Sequence, residues 1–527
     1  MTDQPILVNG TWQAAENPTG SFQATNPATK EPLPHSYPVS SWDDLQAMLD
    51  AAQEAVIALR QTPRSAIADF LEKYADAIEA RQDALVEAAN LETGLPAGTR
   101  LPGELGRTTN QLRQAGQAVR SGTWLTATID TATNIRAMYG PLDGPVIVFG
   151  PNNFPLAFNG VSGGDMVAAI AAGNPVIAKG HPSHPRTTQL LAEAALEAIE
   201  ATDVPQAMVQ LFYHTSNENG TKLVAHPITG ATGFTGSRTG GMALKAAADA
   251  AGKPIYLEMS SVNPIVILPG TLDERSDDMA QELFASCTLG SGQFCTNPGL
   301  VLMLDTPQTA AFIKQVESLF EGSDPGLLLN EGIIGSLKQG IQTWEQNGAT
   351  RVTGGQPLQA GGYRFQNTLY TVDGATFLQH PEPLQAEAFG AASLIVLASD
   401  ADQLIDCLNI LEGNLTGCIY SATSDADESL YADVAAALRP KVGRLLNDKM
   451  PTGVAVSPAM MHGGPYPATG HPGFTSVGIP ASIHRFAMWQ SYDNIRPHRL
   501  PPELKDKNPT GTMWRFIDKT WSQADVS

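Results

Sequence analysis

The stretch GPVIVFGPNNFPLAFNGVSGGDMVAAIAAGNPVIAKG, from Gly144 to Gly180, decides the fold class. Its first segment, GPVIVFG, is an unbroken apolar run between glycines, which suits a strand buried on both faces. GGDMVAAIAAG then predicts a helix that stops at Gly173, and NPVIAKG a second apolar strand. Strand, helix and strand in close succession form the repeating unit of a parallel sheet covered by helices. The pattern continues downstream. HPRTTQLLAEAALEAIE places Leu190, Leu191, Ala194 and Ala198 on one helical face. MVQLFY and ITGATGFTGS predict two further strands, and a helix is expected over 240–250. A second alternating series begins at NPIVILPG and runs through GLVLMLD, AASLIVLAS, GCIYSA and VGRLLND. Two α/β units in one chain leave a cleft between them.

The bulk properties limit what such a cleft serves. With 527 residues, 42% of them hydrophobic, the chain buries more than one core, so two or three domains are expected. A net charge of −21, from 53 acidic and 32 basic residues, repels phosphate backbones and anionic membrane surfaces. Neither nucleic acid nor membrane is therefore an expected partner. The amino-terminal MTDQPILVNGTW has no cationic leader, and no window approaches the roughly 18 apolar residues of a membrane span. The expected location is cytoplasmic. Four cysteines, Cys287, Cys295, Cys407 and Cys418, with no CxxC and no clustered histidines, make neither a disulfide framework nor a metal site. Cys287, Cys407 and Cys418 fall in helix and strand patterns and read as small buried hydrophobes. Cys295 differs: it sits in SGQFCTNPG, Ser291 to Gly299, a glycine-flanked turn. The glycine-rich GFTGSRTGG, Gly233 to Gly241, lies between a strand and a helix, where backbone amides hold a pyrophosphate; alone, it is equally an ordinary tight turn.

Six motifs in order resemble the aldehyde dehydrogenases. PNNFP (Pro151 to Pro155) is similar to that family's PWNFP, NPVIAKG to its strand ending in lysine, and FTGS to its cofactor turn. YLEMSSVNP is similar to its LELGGKSP, GQFC to its GQxC, and EAFGAA to its ExFGP. HGGPYPAT (His462 to Thr469), FTSVG (Phe474 to Gly478) and LPPELKDKNPTGTMWRFID resemble the tail of the subgroup acting on 2-oxoglutarate semialdehyde (2,5-dioxopentanoate). The resemblance implies an α/β fold with a Rossmann-type NAD(P)-binding domain over 1–124 and 141–257 and a catalytic domain over 258–460. A small β oligomerisation ribbon is expected over 125–140 and 482–498, with 461–481 and 499–527 as loop and C-terminal tail. TATIDTATNIRAMYG reads as a hairpin of that ribbon and IHRFAMWQSYDNI as the strand pairing with it, and edge-strand pairing implies a homodimer or homotetramer.

The resemblance also assigns roles. Cys295 becomes the nucleophile that attacks the aldehyde carbonyl, since a thiolate is the strongest side-chain nucleophile near neutral pH and a partly exposed, helix-flanked loop lowers a thiol pKa. The Asn153 side-chain amide and the Cys295 backbone N–H are the implied oxyanion donors, and Glu258 the base that activates water against the resulting thioester. Lys179 would hold the adenosine ribose, Glu387 the nicotinamide ribose, Gly236 and Ser237 the pyrophosphate, and Phe389 would lie beside the nicotinamide ring. His462 reads as a hydrogen-bonded loop histidine outside the catalytic set.

The sequence departs from the family at several points. Asn152 replaces a tryptophan, and Ser260 and Ser261 replace the glycine pair after the base, a change that restricts how Glu258 swings. Three residues after Lys179, NAD-preferring relatives carry a glutamate; Pro182 stands here, which favours NADP. An arginine of NADP-using relatives is replaced by Asn217, so use of both NAD and NADP is the expectation. A dicarboxylate semialdehyde needs a cation, and PNNFPLAFNGVSGGDM offers Phe154, Phe158 and Val161 but no positive residue. Arg107 and Arg113, in GELGRTTNQLRQAG, are the nearest candidates; if neither faces inward, a neutral, sugar-derived or aromatic aldehyde is the alternative. A CoA-acylating enzyme generally lacks the base that Glu258 supplies, and a non-catalytic family member would have lost Cys295 or Glu258.

Overall fold

The computed structural model describes residues 2–359 and 361–526. Four sheets organise them. In the first, the strands Ile255–Glu258, Ala231–Thr235, Val146–Phe149, Val176–Lys179 and Val209–Phe212 run parallel in that spatial order. The antiparallel hairpin of Ile6–Val8 and Thr11–Gln13 closes the edge beside Val209–Phe212. Chain order reverses at Val146–Phe149: the next two parallel strands lie on one side of it and the last two on the other. A crevice opens at the carboxyl ends of the strands where such a reversal falls. The loops carrying Asn153, Lys179, Gly236 and Glu258 all leave the sheet at that end.

The second seven-stranded sheet has the order Thr350–Thr353, Thr368–Asp373, Ala392–Ala398, Leu300–Leu304, Ile265–Ile267, Asn414–Tyr420 and Val442–Asn447, parallel except for the first pair. Its apolar runs divide by the two-residue strand period. Val266, Leu300, Leu302, Leu394 and Val396 join one core, while Ile265, Ile267, Val301, Met303 and Ile395 join another on the opposite face. This is why these strands read as continuous rather than alternating apolar runs. Cys287, Cys407 and Cys418 are buried in these cores as expected.

The expected hairpin pairs as Thr128–Asp130 with Ile135–Pro141, and Ala487–Asp493 adds antiparallel to the latter. The region 499–527, expected as a tail, departs from its reading. Arg515–Ile517 and Thr520–Ser522 form an antiparallel pair that joins the same sheet beside Thr128–Asp130. Their turn is made by Asp518 and Lys519 at φ +45° and +70°, a left-handed conformation reached here without the glycine that marks such turns. A third, three-stranded sheet combines Gly20–Thr25, Pro32–Ser40 and His214–Thr215. Among the described residues no helix is long and apolar enough to cross a membrane.

Candidate active site

The residues picked out by the sequence converge on one cleft. A cavity of about 1260 Å³ is lined by Asn153, Lys179, Gly236, Ser237, Glu258, Cys295, Glu387 and Phe389 among others. The first sheet supplies the first five and the second unit the last three. Within the second unit packing is tight at Gly292, which has φ +71° and packs so closely that any Cβ would collide with the Gly390 carbonyl. That contact seats the Cys295 turn beside the segment carrying Glu387 and Phe389.

On the first-sheet side of the cleft, Lys179 donates from Nζ to the Gly180 carbonyl at 3.0 Å, and burial lowers its pKa to about 8. Among the described residues no carboxylate pairs with it. Ser237 caps the helix Arg238–Ala250, its Oγ accepting from Gly240 N–H at 3.3 Å, so that helix presents its positive end to the cavity. Burial pushes the Glu387 carboxyl up to about 7, against hydrogen bonds from the Ser260 hydroxyl and the Ser261 N–H. The two serines that replace the glycine pair are thus both engaged. Ser261 Oγ also donates to Asn263 Oδ1 at 2.9 Å and accepts from Leu415 N–H at 3.0 Å.

Glu258 ends its strand and points into the interior, 1% exposed. Its Oε1 lies 2.9 Å from His462 Nε2, and its Oε2 accepts from Ser476 Oγ at 3.2 Å. Burial raises this carboxyl, but the His462 imidazole, the Ser476 hydroxyl and the Cys295 thiol together hold it below the ordinary carboxylate value. His462 Nε2 also lies 3.5 Å from Cys295 Sγ, and the ligand atoms of Glu258, Cys295 and His462 all fall within 4.8 Å of one another. His462 is therefore a site residue that the sequence reading set aside. Nothing within HGGPYPAT signals this contact, which joins residues 167 and 204 positions apart.

The expected lowering of the Cys295 thiol pKa is reversed. The residue is partly open to the cleft. Burial, with the charge of Glu258 adding to it, pushes the thiol well above its ordinary value of 9.0, and the Arg107 cation pulls it down. Asn153, 6% exposed, donates one Nδ2 hydrogen to the Gln293 carbonyl at 3.0 Å, which fixes the amide plane and leaves the second hydrogen available.

Beyond the sulfur, Phe154, Phe158 and Phe294 form an apolar cluster against which Cys295, Val454 and Met460 pack. The helix Arg100–Ser121 carries Arg100, Glu104 and Arg107 along one face. Glu104 is fully committed: it pairs with Arg100 and accepts from the Leu156 and Ala157 N–H groups, each at 2.9 Å, so it holds the loop after PNNFP. Arg107 is left over. Its guanidinium carbon lies 4.7 Å from the Phe158 ring centroid, and its Nε and Nη2 are shut from solvent with no hydrogen-bond partner. Arg113, the other candidate, lies elsewhere: it is bound to Asp76 and Glu79 on the outer surface, and the structure does not bring it to the site.

A cleft at the switch point of a parallel sheet, lined by a cysteine, an amide and a carboxylate from two α/β units, defines an enzyme of carbonyl chemistry. The chain belongs to the aldehyde dehydrogenase family, whose description matches residues 12–459, and is an oxidoreductase acting on aldehydes. It is 41% identical over 514 residues to alpha-ketoglutaric semialdehyde dehydrogenase 2 of Azospirillum brasilense, covering 94% of this chain and 96% of that one. It is 37% identical to the alpha-ketoglutaric semialdehyde dehydrogenase of Acinetobacter baylyi, covering 95% and 96%. Among solved structures, betaine aldehyde dehydrogenase of Staphylococcus aureus in complex with NAD+ superposes with a TM-score of 0.80 at 18% identity, covering 94% and 95% of the two chains.

Proposed function

We propose that the protein oxidises 2-oxoglutarate semialdehyde to 2-oxoglutarate with NAD(P)+, using Cys295 as nucleophile, Asn153 as oxyanion donor and Glu258 as base for hydrolysis. The observation that carries the substrate reading is the unpaired guanidinium of Arg107. It is buried beside Phe158, close enough for its charge to favour the Cys295 thiolate. A buried guanidinium without a carboxylate is costly, and the carboxylate of a dicarboxylate semialdehyde would offset that cost. The names of the two relatives point the same way.

Residue by residue, the sulfur bonds to the aldehyde carbon while the free Asn153 Nδ2 hydrogen and the Cys295 N–H face the developing oxyanion. Lys179, Gly236, Ser237, Glu387 and Phe389 would hold the dinucleotide, which when bound supplies the hydride acceptor. Glu258 then takes a proton from the water that attacks the thioester, and the sulfur leaves as thiolate. Both NAD and NADP fit this reading, because Pro182 and Asn217 bring neither a carboxylate against a 2′-phosphate nor an arginine towards it. Sheet membership supports the proposed division into a cofactor unit before residue 258, a catalytic unit after it and a ribbon. The exposed Met488 and Trp489 on the edge strand Ala487–Asp493 support homo-oligomer formation.

The test is formation of reduced nicotinamide with a panel of 2-oxoglutarate semialdehyde, succinic semialdehyde, glyceraldehyde and benzaldehyde, with NAD+ and NADP+ in turn, with and without CoA. The reading requires the highest kcat/KM for the 2-oxo dicarboxylate semialdehyde and no dependence on CoA. Preference for benzaldehyde would favour the neutral or aromatic alternative.

A further inference from the structure

The Glu258, His462 and Cys295 triangle has one unusual property: a single imidazole nitrogen faces both partners. Nε2 lies 2.9 Å from a carboxylate oxygen and 3.5 Å from the sulfur. Facing a buried carboxylate, Nε2 carries the proton and donates it. We propose that His462 is a catalytic residue whose Nε2–H is shared between Glu258 and Cys295 and holds the sulfur as thiolate once the thiol proton has crossed to the carboxylate. This rests on the reading of Cys295 as nucleophile given above.

The step balances within the pocket. The S–H bond of Cys295 breaks and an O–H bond forms on Glu258, with no proton entering or leaving. One negative charge moves from oxygen to sulfur, and the same N–H is within reach of both positions. Without such a donor, the displaced charge would lie on a buried sulfur with only the Arg107 and Arg444 cations, neither hydrogen-bonded to it, to favour it, and burial penalises an unbonded anion heavily. Once protonated, Glu258 is a weaker acceptor, so the N–H turns to the thiolate. Glu258 gives the thiol-derived proton up to solvent before it takes one from the attacking water, and at the end of turnover the expelled thiolate recovers its proton from the carboxyl by the reverse path.

The surroundings hold the triangle still. His462 N–H donates to Thr475 Oγ1 at 2.9 Å, and its carbonyl accepts from Ser476 N–H at 2.9 Å. Its ring rests against Phe158 at 5.5 Å between centroids. Glu258 is held at both oxygens, and the residues after it are pinned by Met259 N–H donating to the Ala468 carbonyl at 2.8 Å and by the engaged serines. A carboxylate so fixed is placed to exchange its proton where it stands. Arg107, Glu387 and Arg444 are the other charged groups acting on the sulfur, and none donates a hydrogen bond to it.

The test compares the full-length wild type with His462→Phe, which removes the donor, and His462→Gln, which keeps an amide N–H. The rate of Cys295 alkylation by iodoacetamide is measured across pH without substrate, with Cys295→Ser as the control for site. The proposal requires alkylation at pH 8 to fall by about tenfold or more in His462→Phe, as for loss of a hydrogen bond to a charge, with partial recovery in His462→Gln. The burst of reduced cofactor should slow in the same order, while dinucleotide binding, which reports the fold, stays unchanged. A folded His462→Phe protein with the wild-type alkylation profile and burst would overturn the proposal. If that variant fails to fold, His462→Leu takes its place: alkylation and burst lowered in a folded His462→Leu protein, with His462→Gln between it and the wild type, support the shared-donor role, and equal values in all three sink it. Because alkylation is read without aldehyde or cofactor, failure of the substrate reading leaves this result legible by itself.

Discussion

Arg107 stacks over Phe158 at 4.7 Å and shares its helical face with a glutamate, Glu104, that is already bound to Arg100 and two backbone amides. The pairing of one arginine is what leaves the other free. Replacing Arg107 with leucine should raise KM for a carboxylate-bearing semialdehyde about 10- to 100-fold, the value of a hydrogen bond between charges, and leave KM for benzaldehyde little changed, while kcat falls for both because the same cation favours the Cys295 thiolate. Arg113→Ala, which breaks surface pairs, should alter neither. Steady-state kinetics on both substrates checks the contrast, and a uniform change in KM across substrates would remove Arg107 from recognition.

Asn153 lines the cleft and has one amide hydrogen fixed on Gln293, which leaves the other uncommitted. Asn153→Ala should lower kcat by about 10²- to 10³-fold with a small change in KM, because the lost donor acts on charge that develops only during reaction. A drop confined to KM would mean that the amide serves ground-state binding.

The thiol of Cys295 is held above 9.0 by burial and by Glu258. Its thiolate fraction in the free enzyme therefore rises as pH rises, without a plateau through the neutral range. Alkylation of the free enzyme should keep accelerating from pH 7 to beyond pH 9; a rate that levels off near pH 7 would show a thiol activated in the resting state.

Glu387 titrates near 7 because burial disfavours its anion, whereas in the unfolded chain it titrates near 4.5. The folded state therefore holds the proton more tightly, and stability falls as pH rises from about 4.5 through about 7. Glu387→Gln should remove this loss and raise the melting temperature at pH 8 relative to pH 5, while weakening dinucleotide binding. Thermal melts at the two pH values, with a binding titration, check both signs.

Much of this architecture could be read in advance. Strands buried on both faces must be apolar throughout, so GPVIVFG, NPVIAKG and AASLIVLAS announced themselves, and the motifs around Asn153, Glu258 and Cys295 pointed to residues that the structure places in one cleft. What stayed hidden depends on partners distant in sequence. Nothing local to His462 shows that its loop returns to Glu258, and nothing local to Arg107 shows that Glu104 is spent elsewhere. The direction of the Cys295 pKa shift was misjudged because a flexible, exposed turn and a turn folded against Glu258 look alike in sequence. The strands at 515–517 and 520–522 escaped because Asp518 and Lys519 turn the chain without glycine.

The central claim is that oxidation proceeds through an acyl group on one sulfur, released with the help of one carboxylate. The most direct measurement is mass spectrometry of Glu258→Gln after acid quench with 2-oxoglutarate semialdehyde and NAD(P)+. The account predicts about one reduced cofactor per active site, formed more slowly than in the wild type because the carboxylate that takes the thiol proton is gone, with the matching acyl mass on the peptide containing Cys295. Full turnover in that variant, or an acyl group on any other residue, would contradict it.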